Sequence, residues 1–422
     1  MSANISNSRP VGRDVSLDIL RGVAILLVIA AHWKHPAAPG SITGWLARNV
    51  FSAGGVGVDL FFVLSGFLIG GLLINEYNKN GRIHVWRFLV RRGFKIYPLY
   101  YIFMAYLFLM PAAKALFGGE NVRDVIVSHW KLLWPNLLFL NNYLGSDPEG
   151  HTWSLAVEEH FYIFLPFLLL VLIKWQRMSW IVWVGAALMI GCCFLRWEHF
   201  GLGVHADTMW TESHVRIDSL FLGVVLRYWE SRRVKITKSE EFTKADSLAG
   251  LAMIVAGIGC WCVVFGFGWS GRLDLSLGFT MRTVGAGLIL YGTWMNRFHL
   301  ARASRSLVGR PLMWLAGVGA YSYGIYVWHI TAMRGVERYA GARIHGLFGI
   351  SEASWMVEAF IYSVAALALG MFMTRLVEQP CLRLRDRLFP SHIHAVSGVA
   401  GTTGKASEVK LVCDHEAAHT IS

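Results

Sequence analysis

The stretch Asp18–His32, DILRGVAILLVIAAH, sets an arginine and a histidine inside one apolar run. In a helix the eleven steps from Arg21 to His32 make close to three turns and climb ~16 Å. Both side chains then share one stripe, about half a hydrocarbon thickness apart. A guanidinium facing lipid costs on the order of several kcal/mol, so the stripe is expected to face a watery or ligand-filled interior. Arg21 and His32 can therefore line one path through a membrane.

Outward from this run, the chain repeats the same apolar design. Its mean hydropathy is +0.46 and 55% of its 422 residues are hydrophobic. Apolar runs of about 17–25 residues suit transmembrane helices, whereas barrel strands would be shorter and alternating. The fold class expected is all-α, a polytopic transmembrane helical bundle of about ten spans. The spans fall near 15–33, 56–76, 94–112, 153–173, 179–196, 214–229, 248–268, 277–295, 311–333 and 353–377. Segment 125–143 is expected either to re-enter or to lie along the interface instead of crossing.

A net charge of +12 invites a nucleic-acid partner. The distribution of Lys and Arg argues against one, because they concentrate in alternate loops, on the side of the N-terminus. That is the positive-inside bias, and it sets both termini in the cytoplasm. No cleavable leader is expected, since the polar start is followed by a full-length apolar run; the first span directs insertion. The expected organisation is a cytoplasmic segment 1–14, a membrane domain 15–388 and a disordered cytoplasmic tail 389–422, which is polar and lacks apolar periodicity. Four of the six cysteines sit in apolar runs and two fall on the cytoplasmic side, so free thiols are expected. The dispersed histidines define no metal site, and none is expected.

This topology brings ionisable residues from five helices to one depth, in the outer half. They are His32, Asp59 in GGVGVDLFFVLSGFLIGG, Glu158 and Glu159 in HTWSLAVEEHFYIFLP, Arg216 and Asp218 in RIDSLFLG, and His329 in YSYGIYVWH. Ser322, Tyr326 and His329 share one helix face. His32 and Glu158 carry the functional reading: an imidazole can take a proton from a hydroxyl while a carboxylate fixes its tautomer. Asp59 could supply that carboxylate instead, or bind the acceptor. Arg216 and Asp218 could equally form a buried structural ion pair. Glu159 points about 100° from Glu158 and is expected at the interface. The glycines Gly66, Gly70 and Gly71 suit close helix packing.

The opposite end carries KNGRIHVWRFLVRRGFKIYP, with Arg82, Arg87, Arg91, Arg92 and Lys95 clustered. Such a cluster either sets topology near lipid headgroups or binds a polyanion such as a nucleotide.

Taken in order, these motifs resemble the acyltransferase-3 family, the membrane O-acyltransferases related to O-antigen acetylases. The resemblance runs from about Leu17 to Pro380. It rests on Arg21 with His32, GVGVDLFFVLSGFLI around Asp59, RRGFKIYP from Arg91 to Pro98, WSLAVEEHFY from Trp153, RIDSLFLG from Arg216, SYGIYVWH from Ser322, and EQP at Glu378–Pro380. The resemblance implies a cytoplasmic acyl-CoA donor, most simply acetyl-CoA, transfer across the bilayer, and an acceptor hydroxyl on a glycan or other glycosylated molecule. It implies a bacterial plasma (inner) membrane location. His32 would be the essential first-span histidine with Glu158 or Asp59 in support. Arg21, Arg91, Arg92 and Lys95 would contact the donor, and Arg216, Asp218, Tyr326 and His329 would serve the substrate. Lys95 stands where the family often has arginine, keeping charge without bidentate geometry. The hydrolase-like domain that some relatives append is not expected here.

Two other classes share this composition. A transporter or flippase of a polar lipid or glycolipid would use the same intramembrane charges, but no inverted repeat is visible. A non-catalytic binder of acyl-CoA or lipid would tolerate loss of His32.

Overall fold

The computed structural model describes residues 14–33, 41–47, 51–145, 149–203, 210–237, 239, 242–266, 269, 271–306, 309–349 and 351–390. The expected 1–14 segment and 389–422 tail, with Cys413, lie almost wholly outside these residues. Among the described residues there are helices and no strand. The principal ones are α1 (Val15–His32), α2 (Val56–Asn80), α3 (Val85–Gly118), α4 (Val122–Leu137), α5 (Trp153–Lys174), α6 (Trp180–Gly201), α7 (Ile217–Thr237), α8 (Lys244–Gly266), α9 (Phe279–Met295), α10 (Arg310–Ala320), α11 (Ser322–Val336), α12 (Glu352–Met373) and α13 (Gln379–Leu388).

Helix boundaries follow local chemistry. Asp14 caps α1, its side chain accepting from the Ser16 amide at 2.8 Å. Gly81 ends α2 in the left-handed region at φ 67°, a conformation a Cβ disfavours. The long α3 runs through Pro98 and Pro111 and takes Arg87, Arg91, Arg92 and Lys95 into one continuous helix. It therefore begins well before the apolar run that marks it in sequence.

Eight helical stretches among the described residues are long and apolar enough to cross a membrane, so the chain is an integral multi-pass membrane protein. Two expected spans fall outside that set for physical reasons. The 214–229 run lies in α7, 21 residues long, where Asp218, Arg227, Glu230, Arg232 and Arg233 interrupt the apolar residues. The 311–333 run is broken at Tyr321 into α10 and α11, 11 and 15 residues. Segment 125–143 forms the 16-residue α4 against α3 and stops at Leu138–Phe139, where Phe139 takes a positive φ.

Position in the bundle follows from burial. In the apolar window of Ala53–Asn80, 72% is buried, against 17% for Trp180–Gly201 and for Lys244–Gly266. Helix α2 is thus central, while α6 and α8 present apolar faces to lipid. The main seams pair α2 with α7 and α1, α8 with α9, α11 with α12, and α1 with α10. The α2–α7 seam is a backbone contact: a Cβ at Gly66 would lie 1.7 Å from the Leu220 carbonyl oxygen, and one at Gly223 would lie 2.1 Å from that of Val63. Small residues allow this approach, so dispersion and helix dipoles act at short range where lipid supplies no hydrophobic drive. The described cysteines are free thiols.

Candidate active site

Helices α1, α2, α3, α5, α10 and α11 enclose a cavity of about 240 Å³. Arg21, Ser65, Arg92, Lys95, Glu158 and Tyr326 are among its walls. A second cavity of about 380 Å³ adjoins the first turns of α1 and the last turn of α9, with Asp14, Asp18, Asn75 and Arg227 in its wall. Arg21 and Arg92 line both. They form the neck between the two.

The polar groups of the first cavity are tied together. Tyr162 Oη donates to Glu158 Oε2 at 2.5 Å and accepts from Ser65 Oγ at 2.6 Å. The Arg92 guanidinium lies over the Tyr162 ring, 5.1 Å from its centroid. Arg21 donates to Asp18 at 3.0 Å, one turn earlier on α1. Lys95 is paired with the buried Glu378, the glutamate of the EQP motif. Arg91 departs from the other basic residues: it donates to the Phe389 carbonyl and pairs with Asp386 at 3.1 Å, fastening α3 to α13. The basic cluster therefore divides, with Arg92 and Lys95 facing the cavity and Arg91 joining helices.

Beyond the cavity, three imidazoles stand in a row. His32 meets His329 edge-on at 4.8 Å between centroids, and His329 meets His151 in the same manner at 4.9 Å. Nδ1 of His32 lies 2.8 Å from the Val28 carbonyl oxygen. A carbonyl only accepts, so the proton resides on Nδ1 and Nε2 carries the basic lone pair. His329 repeats the arrangement, with Nδ1 2.6 Å from the Tyr326 carbonyl. Its Nε2 is buried with no hydrogen-bond partner among the described residues. The Tyr326 hydroxyl donates to the His151 carbonyl at 2.8 Å and lies 2.5 Å from Ser154 Oγ. Tyr326 also lines the cavity, so it connects the two regions.

The carboxylates considered for His32 have other partners. Asp59 pairs with Arg216, Nη2 to Oδ1 2.7 Å, and both side chains are about 1% exposed. Asp218 pairs with Arg196 at 2.9 Å, fully buried. Arg216 and Asp218 are thus each in a buried ion pair, but not with one another. The reason is local backbone direction: Arg216 closes the Ser213–Val215 turn at φ -127° and ψ -12° and lies outside the helix, whereas Asp218 sits in the first turn of α7, so each reaches a different neighbour. Glu159 is buried rather than interfacial and accepts from Tyr97.

Sequence reasoning omitted His151, Tyr162 and Arg196. Tyr162 had a signal, lying four residues after Glu158 on one helix face. Arg196 had a weaker one, a lone arginine ending an apolar run. His151 sits before the first helical residue of α5, where periodicity is silent.

An acyltransferase-domain family model matches residues 14–375. The chain is 26% identical over 326 residues to the peptidoglycan O-acetyltransferase OatA of Listeria monocytogenes, covering 74% of this chain and 48% of that protein. It is likewise 26% identical over 343 residues to the O-acetyltransferase OatA of Staphylococcus aureus, covering 76% and 51%. The chain spans about half the length of these curated relatives. No solved structure matches it. With the model matching from the cap of α1 through α12, across the segments that build both cavities and supply the three imidazoles, this chain belongs to the acyltransferase-domain family.

Proposed function

We propose that the chain is a membrane O-acyltransferase that moves an acetyl group from acetyl-CoA to a hydroxyl of a glycan. The observation that carries this reading is the continuous line from Arg92 and Arg21 at the neck, through the 240 Å³ cavity, to Tyr326 and the imidazoles of His329 and His32. With the N-terminus in the cytoplasm, the neck faces inward and His32 lies in the outer half. Arg92 and Lys95 neutralise the CoA phosphates and the pantetheine arm extends along the Arg21 stripe. The glycan acceptor is supported by the peptidoglycan named for the Listeria relative.

In the proposed step the acceptor hydroxyl oxygen attacks the thioester carbonyl carbon while Nε2 of His32 takes its proton. The new C–O bond forms, the C–S bond breaks, and the imidazolium returns the proton to the leaving thiolate. The products are the ester and free CoA thiol, so atoms and charge balance. His32 is suited to this role because its Nδ1 bond to Val28 holds the tautomer. The backbone carbonyl does the orienting that a carboxylate does elsewhere. Glu158, with Tyr162 and Arg92, belongs to the donor side in this scheme, and Asp59 with Arg216 braces α2 against the turn that leads into α7. His329 and Tyr326 contact the reacting groups from α11. A bacterial plasma membrane, with the donor in the cytoplasm and the acceptor outside, is the location that goes with this reading, and the bacterial sources of the relatives support it.

The test is radiolabelled acetyl-CoA supplied to purified protein in liposomes with membrane glycans, comparing wild type with His32→Ala. Label transferred to glycan by wild type and lost in the variant supports the reading. A folded wild type that binds acetyl-CoA but turns over no faster than His32→Ala sinks it and favours the binder or transporter.

A further inference from the structure

The connection from α6 to α7 takes no part in the scheme above, yet it gathers three groups able to ligate a metal. His199 lies in the last turn of α6, and Glu212 and His214 flank Ser213 in the tight turn Ser213–Val215 that leads to α7. One ligand atom from each lies within 4.8 Å of the others. Nε2 of His214 is 3.6 Å from Glu212 Oε2. That is too long for a hydrogen bond and close to the edge, about 3.4 Å, of a tetrahedron built on metal–ligand bonds of about 2.1 Å.

The surroundings are those of a ligand set. Nδ1 of His214 is 3.2 Å from the Tyr143 hydroxyl and the two rings stack, 5.8 Å apart at 10°. In the tautomer that donates its Nδ1 proton to this hydroxyl, Nε2 is the lone-pair nitrogen, the outer-shell arrangement that orients metal-binding histidines. His199 meets His214 at 5.4 Å and 70°, and its Nδ1 is buried with no hydrogen-bond partner among the described residues. A buried ring nitrogen left bare is unfavourable unless something coordinates it.

The turn is fixed without any ion. Arg196 donates to the Val215 carbonyl at 2.6 Å, Cys192 to that of His214 at 3.2 Å, and Asn142 to Ser213 Oγ at 2.9 Å. Little ordering entropy remains to be lost when the ligands close.

We propose that His199, Glu212 and His214 form a binding site for a borderline divalent transition ion of the zinc class, with three protein ligands and a fourth position open to water. Two imidazoles and one carboxylate match that class, and the set offers too few oxygens for calcium or magnesium. The bound ion clips the end of α6 to the entrance of α7, the helix that carries Asp218 and begins directly after Arg216.

The experiment uses full-length, untagged protein in detergent, stripped of metal and titrated with Co²⁺. Visible d–d absorption saturating at one equivalent and displaced by Zn²⁺ is the expected result. His199→Ala and His214→Ala should each weaken Co²⁺ binding at least about tenfold. His299→Ala, altering an exposed histidine elsewhere, should not. Thermal unfolding of metal-free variants, matching metal-free wild type, separates ligand loss from misfolding, with Glu212→Gln as a third, more conservative probe. Absence of a saturable equivalent in wild type, or wild-type absorption in well-folded variants of both histidines, overturns the proposal.

Discussion

His32, at the end of α1, meets His329 of α11 edge-on with ring centroids 4.8 Å apart, and each ring donates its Nδ1 proton to a carbonyl of its own helix. Two imidazoles from distant segments are thereby held in the same tautomer, with Nε2 as the basic nitrogen of each. The arrangement needs no carboxylate, which explains how Asp59 and Glu158 can be committed to Arg216 and Tyr162 instead.

Replacing His32 by Gln should lower kcat for acetyl transfer about 10²–10⁴-fold, the range for loss of a general base. Acetyl-CoA binding, measured by equilibrium titration in detergent, should stay within a few-fold of wild type. Equal loss of binding and turnover would place His32 in the donor site and not at the proton.

Arg92 and Arg91 are adjacent in sequence but should fail differently. Arg92→Gln removes a cation from the neck and should raise KM for acetyl-CoA at least about tenfold, an effect of ~1.4 kcal/mol. Arg91→Gln releases the Phe389 carbonyl and Asp386, so it should loosen α13 while leaving donor affinity near wild type. Proteolytic susceptibility near residue 389, read alongside KM, distinguishes the two. Matching KM defects would show that both face the donor.

Gly66→Ala should destabilise strongly, because the new Cβ would sit 1.7 Å from the Leu220 carbonyl oxygen and must drive α2 from α7. Overpacking of this kind costs about 1–3 kcal/mol or more. Gly191→Ala on α6, where nothing lies within 4 Å, should be neutral. Thermal unfolding of the two variants in the same detergent checks the contrast.

The Arg196–Asp218 pair is wholly buried, so removing one charge strands the other. Arg196→Met alone should cost about 3–5 kcal/mol, and adding Asp218→Leu should recover a good part of it. A double variant no more stable than the single one would mean that Arg196 acts mainly through its bond to the Val215 carbonyl, 2.6 Å away.

Much of the architecture was legible in the chain. Apolar runs long enough to cross a bilayer announce a helical membrane protein, because backbone groups in lipid must bond within their own segment. The Arg21–His32 stripe was visible for the same reason, as helical rise and rotation are independent of what surrounds the helix. Even Gly66, Gly70 and Gly71 signalled a close seam, though not its partner. The ordered motifs pointed to the acyltransferase family, and the family match across residues 14–375 agrees.

What one chain could not specify was the choice among partners. From sequence, Arg216 had Asp218 two residues away; in the fold it has Asp59, 157 positions distant, and Asp218 has Arg196. The His32–His329–His151 row, the Tyr162–Glu158–Ser65 knot, the split of Arg91 from Arg92 and the meeting of His199 with Glu212 and His214 are of this kind. Hydropathy and helical periodicity are one-dimensional and local, so they say which face of a helix is polar. Which polar group that face meets depends on the rotation and depth of the neighbouring helix, and those are set by side-chain packing and glycine contacts between segments far apart in the chain.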